Sequence, residues 1–254
     1  MALKVSLEEE LERMDEIATM FLKTYQVWHY RRLLLTALNS VDAAARELVF
    51  LKSVLAEDSK NYHTWSYRQW ILAHFNDEER LWAGERPYVE ELLEEDVRNN
   101  SAWHHRFFVV FSSGVRAGDE DREQTLRREL SFAKEKIALA PNNLSAWNYL
   151  RGALEHTNTP FATVVAFVEP YTASEPPAAD VVDLDNPLPS AGAQLPCVPA
   201  LEFLADVYEK EGGEKTTKAV EVSDTILLRL KRGLKQTAQI WKLLANEKDT
   251  MRKK

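Results

Sequence analysis

The sequence predicts an all-α fold, a superhelix (solenoid) of repeated helical hairpins that reads as a single domain over residues 1–254. Three observations predict it. A tryptophan-centred word recurs four times, amphipathic stretches of helical period separate the copies, and glycine is scarce. With 8 glycines in 254 residues, the content is roughly 3% against a usual ~7%. Such scarcity argues against turn-rich β folds and against glycine loops that cradle phosphate.

Along the chain, Leu7 to Phe21 reads as the second helix of a hairpin whose first helix is absent. The repeat words follow: KTYQVWHYRR, KNYHTWSYRQ, RNNSAWHHRF and NNLSAWNYLR, near residues 23–32, 60–69, 98–107 and 142–151. Their tryptophans, Trp28, Trp65, Trp103 and Trp147, are 37, 38 and 44 residues apart. Asn61, Asn99 and Asn143 lie four residues before the tryptophan, with Thr24 in the first copy. Both residue types cap helices by accepting a first-turn N–H that has no partner within the helix. Arg31, Arg68 and Arg106 follow three residues after the tryptophan, on the same helical face. The fourth copy has Leu150 there and Arg151 one place on.

Between the words, Val41 to Ala56 and Val89 to Val97 carry apolar residues at intervals of three and four, so each unit is a helix, a turn and a second helix. The longer third interval fits a polar loop, Ser112 to Asp121, containing Gly114 and Gly118. Seven prolines between Pro170 and Pro199 read as a flexible insertion and not as a packed element, with Cys197 an incidental thiol inside it. Helical pattern resumes at Ala200 to Lys210 and from Thr217 to Asn246. Lys248 to Lys254 read as a frayed, basic helix end.

Composition narrows the function classes. The formal charge of −8 disfavours a chain-wide nucleic-acid binder. One cysteine among 254 residues excludes an intramolecular disulfide framework and a cysteine-built zinc cluster. Neither a dinucleotide-binding nor a P-loop glycine motif is present, and no stretch approaches the length of a membrane span. The N-terminal twelve residues lack the basic-then-apolar order of a secretory signal. The simplest reading is a soluble protein of the reducing cytoplasm.

The segments KTYQVWHYRRLLL, DSKNYHTWSYRQWIL, EEDVRNNSAWHHRFFV and PNNLSAWNYLRGAL closely resemble the α subunit shared by protein farnesyltransferase and type I geranylgeranyltransferase. The final LLANEKDTMRKK resembles that family's C-terminal segment. The resemblance covers roughly Leu7 to Leu154 and Ala200 to Arg252. It implies a crescent of helical hairpins wrapped around a β subunit, an α-α barrel that carries the catalytic zinc and most of the isoprenoid pocket. Magnesium assists the farnesyl form. The implied reaction transfers a farnesyl or geranylgeranyl group from its diphosphate to the cysteine of a C-terminal CaaX motif. The chain is then not active alone. The resemblance also implies truncation: the repeat upstream of Lys23 is reduced to its second helix.

Carried over residue by residue, the resemblance places Lys23 beside the isoprenoid diphosphate, where a fixed ammonium stabilises the charge growing on the leaving group. Tyr25 and His63 match rim residues of the diphosphate and peptide site, and Gln26 matches the amide that binds the CaaX carboxylate. Asn61 and Tyr62 share the loop of His63 and are further substrate-binding candidates. The four tryptophans and Arg31, Arg68 and Arg106 are better explained by structure. His104 and His105 are neighbours about 100° apart on a helix, a poor arrangement for co-ligands. Two other readings compete. One is a helical-repeat scaffold that binds proteins without catalysis. The other is the Rab geranylgeranyltransferase α subunit, which shares the tryptophan repeat with less similar flanking words and an inserted sandwich domain not evident here.

Overall fold

Asparagine caps start the tryptophan helices where the sequence places them. A computed structural model of the chain describes residues 6–114, 121–174 and 183–212, with 217, 218, 221 and 222. Among these residues every regular element is helical. Three helices open the chain, α1 (Leu7–Met20), α2 (Tyr25–Leu38) and α3 (Val41–Glu57), followed by α4 (Tyr62–His74), the single turn α5 (Glu79–Trp82) and α6 (Glu85–Glu95). Next come α7 (Asn100–Phe107), which runs into a π-helical turn at Phe108–Ser112, and α8 (Arg122–Leu139). The last are α9 (Leu144–His156), α10 (Val165–Thr172) and α11 (Val198–Glu211). The helices read at Leu7 to Phe21, Val41 to Ala56 and Ala200 to Lys210 are α1, α3 and α11. Most of the helix read at Thr217 to Asn246, most of the Ser112 to Asp121 loop and the basic end lie outside the described residues.

The chain divides into two compact units, residues 1–129 and 130–254. Several groups in the described part of the proline-rich stretch make long-range bonds. Tyr171 is fully buried and its hydroxyl donates to the Pro187 carbonyl at 2.8 Å. Ser190 N–H donates to Ala138, and Cys197 N–H to Tyr171. The Cys197 side chain is buried, its thiol against the Pro141 carbonyl. These are long-range bonds, which composition does not report.

In the first unit the core runs through Leu11, Met14, Val27, Trp28, Leu35, Leu51 and Ile71. Asn61, Asn99 and Asn143 are buried N-caps whose side chains accept from Thr64, Ala102 and Ser145 N–H at 3.0, 3.3 and 3.2 Å. Thr24 holds the N-cap position of α2 without a side-chain cap bond. Each indole N–H donates to the carbonyl six residues before it. Trp28 reaches Leu22, Trp65 reaches Ser59, Trp103 reaches Val97 and Trp147 reaches Pro141, at 2.8–2.9 Å. All four tryptophans are buried, so each pins its own loop from inside the core. In the second unit Trp147 sits among Phe167, Tyr171 and Phe203, with ring centroids 5.8–6.0 Å away.

The three arginines answer to buried carboxylates. Arg31 Nε donates to Glu47 of α3 at 3.0 Å, Arg68 Nε to Glu85 of α6 at 2.9 Å and Arg106 Nε to Glu129 of α8 at 2.7 Å. In each case Nη2 bonds the second carboxylate oxygen. The arginines also reach back to the helix before them: Arg31 to Asp15, Arg68 to the Leu48 carbonyl and Arg106 to Glu90. Two of the carboxylates take a further bond from the next tryptophan helix. Tyr67 donates to Glu47, and His105 Nε2 pairs with Glu85, both at 2.8 Å. Leu150 replaces the arginine in the fourth copy and is fully buried, while Arg151 pairs with Asp206 at 2.7 Å.

Removing one partner of a buried, hydrogen-bonded ion pair strands the other charge. Glu85→Ala therefore lowers stability by about 3–5 kcal/mol in urea unfolding. Glu91→Ala, whose partner Lys52 is exposed, costs far less. Stability also falls on acidification. Burial pushes Glu85 up, but the bonds from His105 and Arg68 outweigh it and hold the carboxyl below its ordinary value. Burial holds His105 below the ordinary histidine value, and Glu85 offsets this only in part. Both folded-state values are depressed, so their contribution is complete above the unfolded values and is lost as pH falls through the folded ones. For His105 the loss begins near pH ~6.5. Thermal unfolding between pH 8 and 5 shows the decline, and His105→Gln flattens its upper part.

Candidate functional site

The exposed residues at the starts of α2 and α4 form the region of interest, and repeat packing sets its geometry. In both repeats a buried tryptophan anchors the loop before the helix. The residues three before Trp28 and Trp65 are then the first of their helices and face solvent: Tyr25 is 61% exposed and Tyr62 77%. Lys23 is exposed in the α1–α2 loop and Gln26 is exposed on the first turn of α2, while Val27 and Trp28 beside them are buried.

Helices α2 and α4 pack together through equivalent residues. The Trp28 and Tyr67 rings lie 5.7 Å apart, and Arg32 Nη2 reaches the Ser66 hydroxyl and carbonyl at 3.3 and 3.4 Å. The pattern recurs one repeat later, with Trp65 against His105 at 4.8 Å and Gln69 against His104 at 3.3 Å. Locally, Tyr25 stacks on His29 (5.8 Å, 14°), and Tyr62 meets half-exposed His63 edge-on at 5.5 Å. Lys23, Tyr25 and Gln26 thus share one helix start, Tyr62 and His63 share another, and the two helices are packed neighbours.

Asn61 occupies the N-cap of α4 that its place before the tryptophan predicts. It is 4% exposed, and its carbonyl oxygen accepts from both the N–H and the hydroxyl of Thr64. Its amide donates to Asp58. The oxygen thus caps α4, and the amide ties the same side chain to the loop before it. His29, exposed against Tyr25, and Met20 and Phe21, 67% and 54% exposed beside Lys23, belong to the same surface and carry no sequence signal of their own. The carboxylates Glu47, Glu85 and Glu129, which fix these helices, also went unpredicted. Their signal was an acidic residue in the apolar register of an amphipathic helix, as Glu47 is between Ala43, Ala44 and Leu51.

Among the described residues no group of three or more His, Cys, Asp or Glu is placed to hold a metal. His105 is buried against Glu85 while His104 is exposed on the opposite side. The arrangement offers a cation, an amide, a phenol and an imidazole at a surface. Such groups can bind anionic and carboxylate ligands.

The family model for the protein prenyltransferase alpha subunit repeat matches residues 7–38, 44–75, 82–113 and 126–157. The chain is 36% identical over 213 residues to the protein farnesyltransferase/geranylgeranyltransferase type-1 subunit alpha of Candida albicans, covering 81% of this chain and 61% of that protein. It is 30% identical over 150 residues to the geranylgeranyl transferase type-2 subunit alpha of Saccharomyces cerevisiae, covering 57% of this chain and 44% of the relative. Among solved structures it is similar to Candida albicans protein geranylgeranyltransferase-I complexed with GGPP. There the TM-score is 0.67 at 33% identity, over 87% of this chain and 67% of that one. The chain thus spans less than two thirds of the curated relatives' length.

Because Asn61 is a cap, Asn61→Ala lowers stability by about 1 kcal/mol in urea unfolding, and Asn61→Ser, a comparable cap, recovers most of it.

Proposed function

The chain belongs to the protein prenyltransferase alpha subunit repeat family, and on that premise we propose that it is the α subunit of a heterodimeric CaaX prenyltransferase. The observation that carries the reading is the set Lys23, Tyr25 and Gln26, presented to solvent by a helix start whose neighbours Val27 and Trp28 are buried. A scaffold that bound proteins without chemistry has no use for an ammonium, a phenol and an amide held there beside the Tyr62–His63 pair. The longer match to the type-1 subunit favours CaaX substrates over Rab proteins.

In this reading a β subunit supplies the isoprenoid pocket and the walls of the site. Zinc would be held by that subunit, not by this chain, and would supply activation of the substrate thiol, while magnesium would support the diphosphate in the farnesyl form. A carbon–sulfur bond forms at the CaaX cysteine as the carbon–oxygen bond to diphosphate breaks, and diphosphate leaves. Lys23 holds its ammonium where the leaving oxygens gain negative charge. It therefore acts more on the transition state than on the ground state. Tyr25 and His63 line the diphosphate and peptide rim with donors, with Tyr62 beside them. Gln26 donates its amide to the C-terminal carboxylate of the peptide, which fixes how far the cysteine reaches inward. Isoprenoid length is then chosen by the partner.

The test is co-expression with the β subunit of a type I enzyme, isolation of the heterodimer and transfer of a radiolabelled isoprenoid to a CaaX peptide. Transfer is the expected outcome. Lys23→Ala lowers kcat about 10- to 100-fold, the scale of one hydrogen bond to a charged group, with the heterodimer intact. A chain that pairs with no CaaX-type β subunit, or a Lys23→Ala heterodimer of unchanged kcat, contradicts the assignment.

A further inference from the structure

We propose that Trp28 is a positioning residue for Lys23, acting through the hydrogen bond from its indole N–H to the Leu22 carbonyl at 2.8 Å. The inference rests on the reading of Lys23 as the ammonium facing the diphosphate. The carbonyl of Leu22 and the N–H of Lys23 belong to one peptide plane. A bond that fixes this carbonyl therefore fixes the direction in which the chain enters Lys23. The donor is itself immobilised: Trp28 is 3% exposed and packs against the Tyr67 ring.

All four tryptophans tether their own loops, but the first repeat depends on the tether differently. In α4, α7 and α9 the loop is held twice, by the indole and by an asparagine cap whose oxygen accepts a first-turn N–H. In α2 Thr24 stands at the cap position and its side chain makes no cap bond. Besides the backbone bonds Thr24 N–H to Phe21 and Val27 N–H to Thr24, the indole is the side-chain anchor that remains. Of the two side-chain hydrogen bonds that hold the other loops, indole and cap, the loop carrying the ammonium thus has the indole alone. An uncapped start leaves room for Lys23 to be aimed by Trp28 and not by the helix.

The test uses the heterodimer and a CaaX peptide. Trp28→Phe, and replacement of Trp28 by benzothienylalanine, which keeps the ring shape and deletes only the N–H, both remove the tether. Each is expected to lower kcat roughly 10- to 100-fold, the scale of a small misplacement of a reacting group, while KM for the peptide holds. Adding Thr24→Asn supplies the missing cap and recovers part of the loss. Trp103→Phe removes the same tether, to Val97, from a repeat that carries no candidate residue, and leaves kcat unchanged. A wild-type heterodimer without transfer activity refutes the function itself. An active wild type with unimpaired Trp28 variants refutes the positioning role and leaves the function standing. A loss that Thr24→Asn leaves untouched contradicts the loop account. If both Trp28 variants fail to fold while Trp103→Phe folds, the indole serves the fold and the proposal is overturned.

Discussion

A carboxylate buried between successive tryptophan helices is the constraint on which the first unit depends. Glu47 and Glu85 are each nearly inaccessible to water, and each is held by an arginine from the helix before it and by a Tyr or His from the helix after it. Taking such a charge out of water costs several kcal/mol before any partner is found. A partly made set is therefore worse than none, and the helices are confined to a register in which the arginine and the Tyr or His both reach the carboxylate. The arginines extend the same logic backwards to Asp15, Leu48 and Glu90. The gain lies less in net stability than in a unique stacking of one hairpin on the next.

That stacking delivers the candidate site. Once α2 and α4 are locked through Arg31, Glu47 and Tyr67, their first residues have nowhere to go but outward. Tyr25 and Tyr62 emerge exposed at equivalent places, with Lys23, Gln26 and His63 beside them. The buried network performs no chemistry of its own. It fixes the two helix starts against each other, and the indole tethers then fix the loops that precede them. Rigid elements that carry a few polar groups at their ends are a common way to hold catalytic geometry.

What could be read in the sequence is what is local. The asparagine caps and the tryptophan spacing act within one helical turn, so Asn61, Asn99 and Asn143 declared their role from position alone. The carboxylate partners did not, because Glu47, Glu85 and Glu129 lie 16, 17 and 23 residues beyond their arginines. An irregular spacing hides a regular device, and a glutamate in an amphipathic helix reads as solvated. Asn61, next to Tyr62 and His63 in sequence, is buried and its oxygen caps α4. In the proline-rich stretch composition and contacts differ in reach: the composition is that of an unpacked segment, while Tyr171, Ser190 and Cys197 make long-range bonds that composition does not report. Lys23, Tyr25 and Gln26 are candidates only through family resemblance, since an exposed lysine, tyrosine and glutamine have no signature of their own.

The central claim is that one buried carboxylate couples two repeats, and amide hydrogen exchange on Glu85→Gln tests it most directly. Neutralising Glu85 removes the charge that both Arg68 of α4 and His105 of α7 answer to. The account predicts faster exchange in both Tyr62–His74 and Asn100–Phe107, on either side of the substituted helix. Faster exchange confined to Glu85–Glu95, with both neighbouring helices protected as before, would contradict it.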